Sequence, residues 1–94
     1  MMKHFIIAKF RENIDWKSLV PEITAHFDAA RQIEGISDVI IHTSCSDRAN
    51  RFHIMIEIHL TPEGLENWDK SDVHKTWKAK YGDMLEGKTI FDCE

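Results

Sequence analysis

The hydrophobic residues of this chain follow two kinds of spacing, which occupy separate stretches. Residues 4–10, 39–43 and 52–60 alternate as β-strands do. Both alternating sets of residues 4–10 are mostly apolar, which is typical of a strand covered on both sides. The third strand has one wholly apolar face, which consists of Phe52, Ile54, Ile56, Ile58 and Leu60.

Helical spacing begins after the first strand. The stripe there consists of Leu19, Ile23, Phe27 and Ala30. A helix that starts near Ser18 keeps Pro21 in its first turn, where proline is tolerated. Gly35 follows the stripe and is expected to end this helix.

Two further helices and a short strand are predicted in the second half of the chain. A helix over residues 62–70 is expected, with Thr61 as its N-cap and Pro62 at its first position, where proline is tolerated. A third helix follows and ends at Gly87. Its apolar stripe consists of Val73, Trp77, Tyr81 and Met84. Residues 89–93 form the last strand.

The resulting order, βαββααβ, predicts an α+β protein with a ferredoxin-like fold. Two βαβ units with right-handed crossovers give a four-stranded antiparallel sheet with helices on one face. A chain of 94 residues makes one domain, here residues 1–94. The other sheet face would expose apolar side chains, which usually marks an interface, so we expect two copies to pack sheet to sheet.

Charge and composition exclude some classes of binding partner. The formal net charge is −4, and the acidic residues are spread along the chain, so no basic footprint for nucleic acid is present. No apolar run is long enough for a signal peptide or a membrane span. The two cysteines, Cys45 and Cys93, belong to no spaced motif. We therefore expect a cytoplasmic protein with reduced thiols that binds neither nucleic acid nor membrane.

Short segments along the chain resemble motifs of the stress-responsive A/B-barrel (Dabb) family. Residues 3–10, KHFIIAKF, are similar to the family's KHIVLFKF opening, and residues 33–36, IEGI, to its IPGV turn. Residues 65–68, LENW, and 71–74, SDVH, resemble its ALEAY…HPxH segment. Residues 90–94, IFDCE, resemble its closing VVDYE. The resemblance implies a homodimeric α/β barrel in which two sheets face each other.

The resemblance also implies candidate catalytic residues. One plant member of the family is a polyketide cyclase that needs no cofactor, and its histidine motifs match His4, His53 and His74. Its catalytic tyrosine falls on Trp68, whose indole N–H cannot transfer a proton as a phenol does. The histidines would face the helices and line a pocket. The dimer would then form through the apolar face Phe52, Ile54, Ile56, Ile58 and Leu60.

Other side chains are expected to line the same pocket. They are Trp68, Trp77, Tyr81, Met55 and Glu57. The spacing of His53, Glu57 and His59 also suits a divalent metal, but a polar strand end is the favoured interpretation, and no metal or cofactor is predicted. The expected function is cofactor-free acid–base chemistry on an aromatic or polyketide-like ligand. A non-catalytic stress protein and a cofactor-free monooxygenase are the alternatives, and whether the chain is an enzyme stays open.

Overall fold

The computed structural model describes residues 1–94 and contains four strands and three helices. They are β1 (Met2–Phe10), α1 (Trp16–Asp28), β2 (Ile36–Thr43), β3 (Ile54–Leu60), α2 (Pro62–Lys70), α3 (Asp72–Tyr81) and β4 (Leu85–Cys93). Short 3-10 turns extend α1 over Ala29–Gln32 and α3 over Gly82–Met84. The strands form one antiparallel sheet in the order β2-β3-β1-β4. The predicted ferredoxin-like fold is confirmed.

The helices pack on the sheet face that carries the apolar side chains of β3. Ile54, Ile56, Ile58 and Leu60 are each at most 2% exposed. They pack in one core with alternate residues of β1 and with aromatic residues of the helices. The assignment of the two faces was therefore wrong. These side chains are buried within one protomer and are not free for a partner, and Phe52 lies outside β3 at the surface.

The opposite face of the sheet carries no helix. We call it the open face. Its apolar side chains, half-buried or exposed in the protomer, are Phe5, Ile7, Ile40, Met55 and Phe91. Register places Phe5 between Glu57 and Phe91, and Ile7 between Met55 and Thr89. The mixed side of β3 is thus the uncovered one.

Strands β1, β2 and β4 begin two to four residues earlier than predicted, and three other differences involve a proline, a histidine and a glycine. Helix α1 begins at Trp16, so Pro21 lies beyond its first turn and removes one backbone hydrogen bond from the helix. Strand β3 begins at Ile54, because His53 is tied instead to the neighbouring strand ends. Gly87 does not end a helix, since it lies within β4 beside a register shift. Thr61 does cap α2, and its side chain accepts a hydrogen bond from the backbone N–H of Gly64.

Two glycines bring α2 against the start of β2. Gly35 has a positive φ of 94°, which side chains disfavour. A Cβ atom on Gly64 would lie 2.4 Å from the carbonyl oxygen of Gly35. That same oxygen accepts a hydrogen bond from the backbone N–H of Thr61 at 2.9 Å. The backbone-to-backbone contact therefore fixes where α2 leaves the sheet.

We expect Gly64→Ala to lower the free energy of unfolding by about 1–3 kcal/mol, because the added methyl overlaps backbone atoms that cannot yield. Gly82→Ala is the matched control. No atom lies within 4 Å of its Cβ position, so its effect should stay within about 1 kcal/mol. Chemical denaturation followed by circular dichroism measures both. Equal stability of the two variants would contradict the close contact.

Candidate functional site

The structure separates the three candidate histidines. His4 lies near the beginning of β1, whereas the backbone N–H of His53 bonds to the carbonyl of Ala8, four residues further along that strand. At about 3.3 Å per residue this is a displacement of about 13 Å. No hydrogen bond or ring contact joins His4 to His74, and each has other partners. His4 and His53 therefore lie toward opposite ends of β1, and none of the surface depressions is lined by His4 or His74.

His4 pairs with a carboxylate across the sheet. Register places it opposite Asp92 on β4, and its Nδ1 lies 2.5 Å from the Asp92 Oδ1. His4 is 6% exposed, which makes it the one polar or charged residue among the buried ones. Its Nε2 bonds to no protein atom, and no unpartnered side-chain nitrogen is fully buried, so Nε2 reaches solvent. An ionised Asp92 that accepts the Nδ1–H leaves the lone pair on Nε2.

His74 is held in the first turn of α3. The Ser71 side chain caps the helix by accepting a hydrogen bond from the backbone N–H of His74 at 3.1 Å. The imidazole lies against Trp68, with 4.9 Å between ring centroids, and its Nδ1 donates to the Asp69 carbonyl at 3.3 Å. Burial lowers the pKa of His74 below 6.5, although the bond to Asp69 opposes the shift. His74 is thus a half-buried ring that packs against the core.

His53 has the opposite tautomer from His4. The backbone N–H of Phe10 donates to its Nδ1 at 3.0 Å, so the neutral ring carries its proton on Nε2. The ring stacks on Trp16, with a centroid distance of 4.9 Å and an interplanar angle of 12°. Burial lowers the pKa of His53 below 6.5, and the charge of Lys9 adds to the shift. His53 therefore presents a hydrogen-bond donor at Nε2, not a base.

The aromatic residues expected to line the pocket are instead core residues. Trp68, Trp77 and Tyr81 are each at most 1% exposed. Both tryptophans pack against Phe27, and Tyr81 packs against Trp77. The Tyr81 hydroxyl donates to Glu22 at 3.0 Å. Burial, together with that carboxylate, raises the pKa of Tyr81 to about 12. These rings fill the space between the helices and the sheet.

Met55 and Glu57 lie on the open face, away from His4. His42 and His59 flank Glu57: the His42 Nε2 is 2.9 Å from Oε1, and the His59 Nε2 is 2.5 Å from Oε2. The bonds from His59 and then His42 lower the pKa of Glu57. Each imidazole bonds a different oxygen of Glu57, and no group of three such side chains is arranged to hold a metal ion.

The sequence-based choice of site residues missed Asp92. Only the register between the first and last strands, which brings KHF beside FDC, reveals this pairing. The sequence-based prediction also named no partner for His42, because the β3 residue beside it depends on the register of the two strands. A depression of about 350 Å³ lies beside Asp92, lined by Met2, Pro62, Asp92, Cys93 and Glu94.

Comparisons with known proteins identify the fold. No protein-family model matches the chain, and no curated protein is similar enough in sequence to match. Solved structures do match over nearly the whole chain. A dimeric ferredoxin-like protein of unknown function from Thermobifida fusca has a TM-score of 0.82 at 11% identity, covering 98% of this chain and 88% of that one. The chain has a ferredoxin-like fold.

Two other structures with this fold bear on the sequence resemblance. A Dabb family protein from Mesorhizobium loti has a TM-score of 0.74 at 8% identity, covering 99% of this chain and 94% of the other. The hydroxynitrile lyase of Passiflora edulis has a TM-score of 0.75 at 14% identity, covering 98% and 90%. The resemblance to the Dabb family is thus supported at the level of the fold.

None of the helices has the length and apolar character that a membrane-spanning helix needs.

We expect His53 to titrate below pH 6.5, as measured by the shifts of its ring protons in NMR. Its folded-state pKa is lowered, so the unfolded chain takes up the proton first. The stability that the neutral ring contributes is complete above pH 6.5 and is lost as the pH falls through the folded-state pKa. Trp16→Ala should move the pKa back toward 6.5 by hydrating the ring. Phe91→Ala, on β4, is the control and should leave it unchanged. A wild-type midpoint at or above 6.5 would contradict the burial of this ring.

Proposed function

We propose that the chain forms a homodimer through its open face and catalyses a cofactor-independent acid–base reaction with His4 as the base. The observation that carries the chemical part is the bond from His4 Nδ1 to Asp92, which leaves Nε2 free and in reach of solvent. The alternative is a non-catalytic dimer with the same fold. The two parts of the proposal are tested separately.

The open face supports the dimer. It combines apolar side chains from all four strands, and Phe91 is 58% exposed although it stands beside Phe5, with 6.4 Å between ring centroids. Apolar side chains gathered on one uncovered face usually mark an interface, and the carboxylate among them, Glu57, is paired with His42 and His59. A second copy placed sheet to sheet would cover it. The protein from Thermobifida fusca, which shares the fold, is described as dimeric.

Ile7→Glu should convert the dimer to a monomer, because two carboxylates would be buried close to each other across the interface. Unpaired buried charges cost several kcal/mol, so we expect the dissociation constant to rise by at least about 100-fold. Sedimentation velocity at micromolar concentration measures it. Thr24→Glu adds the same charge to an exposed position on α1 and should leave the dimer intact. A wild-type protein that sediments as a monomer would overturn this part.

The pairing of His4 with Asp92 suits general base catalysis. The carboxylate holds the imidazole in the tautomer whose Nε2 accepts a proton, and it stabilises the imidazolium that forms. The imidazolium can then return the proton to a leaving group or a carbanion. The depression that Asp92 lines is adjacent to the pair, although His4 itself is not part of its lining, and it is where we expect a small substrate to approach.

No tyrosine hydroxyl is available as a second acid–base group beside His4. Tyr81 is the one tyrosine in the chain, and its buried hydroxyl is engaged by Glu22. Trp68 stands where the polyketide cyclase of the Dabb family has its catalytic tyrosine, and it is fully buried. We therefore favour a lyase or isomerase type of reaction, in which a histidine alone removes and returns a proton. The hydroxynitrile lyase with this fold points the same way.

Cleavage of mandelonitrile tests the base. A base removes the hydroxyl proton, the carbon–carbon bond breaks, and cyanide leaves with a proton returned to it, so benzaldehyde release can be followed by absorbance. We expect His4→Ala to lower the rate by at least about 100-fold, the usual size of a general-base contribution. Asp92→Asn should lower kcat more than it raises KM, because it misplaces the proton on His4. Asp83→Asn, an exposed acid, is the control.

The contrary outcomes are distinct. If His4→Ala retains the wild-type rate, His4 is not the base. If the wild-type dimer does not accelerate the reaction at all, the non-catalytic alternative is favoured, and the dimer is judged on sedimentation alone.

A further inference from the structure

A second group of polar side chains lies at the end of the sheet away from His4. There residues 46–49 pass close to the start of α1 and enclose a depression of about 220 Å³. Its walls are Trp16, Lys17, His53 and that loop segment. None of these residues takes part in the acid–base site proposed above.

His53 supplies a fixed donor to this part of the surface. Its Nδ1 is occupied by the backbone N–H of Phe10, so the neutral ring must carry its proton on Nε2. That nitrogen donates to no protein atom and is not fully buried, so it faces solvent. The parallel stack on Trp16 keeps the ring from turning. A donor held in place without a partner is the kind of group that orients a bound ligand.

The charges around the depression favour an anion. Lys17 and Arg48 both line it, and neither forms an ion pair within the chain. Asp47 is the one acidic residue in its wall, so these three side chains sum to one positive charge. The chain as a whole has a net charge of −4, which makes this local excess of positive charge notable.

An adjoining depression that His53 and Ala49 also line does not suit an anion. It is lined by Glu12 and Glu86 together with Lys9. Lys9 is already occupied, since its ammonium donates to the Ala49 carbonyl and pairs with Glu86 at 3.1 Å. A third depression that His53 lines, with Phe52 and Met55, has no lysine or arginine in its wall. Of the three, the depression beside Arg48 is therefore the one that suits an anion.

We propose that the depression formed by Trp16, Lys17, Arg48 and His53 binds a small organic carboxylate. The carboxylate accepts the Nε2–H of His53 and pairs with the Arg48 guanidinium, while Lys17 adds a second positive charge. The volume is below the roughly 300–1,000 Å³ of pockets that hold drug-sized ligands, so the occupant is a small acid. This site is separate from the pair of His4 and Asp92.

Sodium benzoate is the probe, followed by NMR of the folded protein. We expect saturable shifts of the His53 Nε2–H and of the Trp16 indole N–H. Arg48→Gln should weaken binding by about tenfold, the usual effect of losing one charge-assisted hydrogen bond. Arg48 lies on an exposed loop, so the fold should survive this change. Arg51→Gln is the matched control, because Arg51 belongs to the same loop but lies outside the depression.

Two further measurements decide against the proposal if they go the other way. Benzyl alcohol, which lacks the charge, should produce no comparable shifts, and equal shifts would show a contact with the ring only. Asp92→Asn should leave benzoate binding unchanged, and its loss in that variant would place benzoate at the His4 site. Linear, unsaturated shifts that Arg48→Gln does not alter would also overturn it.

Discussion

The packing of the helices onto the apolar side of β3 determines the rest of this structure. Ile56 and Ile58 are fully buried there, at the centre of the sheet, and Trp68 closes the same layer from α2. Once that face is filled, the mixed side of β3 must be the uncovered one. The aromatic residues of the helices are then needed to fill the core and cannot also line a cavity. The surface available for association and the places available for chemistry both follow from this single choice of face.

A second constraint acts on the histidines, because the partner of Nδ1 decides what Nε2 can do. In His4 that partner is a carboxylate, so the exposed nitrogen accepts a proton. In His53 it is a backbone N–H, so the exposed nitrogen donates one. The same residue type thus has opposite hydrogen-bonding capacity at opposite ends of the sheet, and the sequence around each histidine does not reveal which of the two it has. His74 fits neither case, since its main contact is the packing of its ring against Trp68.

Periodicity and caps predicted the order of elements well, because both are local properties. Thr61 and Ser71 cap their helices through their own side chains, as short polar residues do at helix starts. The sheet face was mispredicted because the resemblance, and not the amphipathic pattern of β3, decided it. The pairing of His4 with Asp92 escaped notice for another reason. It depends on the register between two strands at opposite ends of the chain, which no local pattern records.

The side-by-side placement of β1 and β4 has a consequence for biosynthesis. His4 and Asp92 are 88 residues apart in sequence, yet they form one hydrogen-bonded pair. The ribosome must therefore release almost the whole domain before the pair can form. The other three strands, with α1, α2 and α3, can collapse earlier around the apolar face of β3. A nascent chain would then hold a folded core in which the His4 imidazole has no carboxylate partner, and Asp92 would reach it only with the last strand.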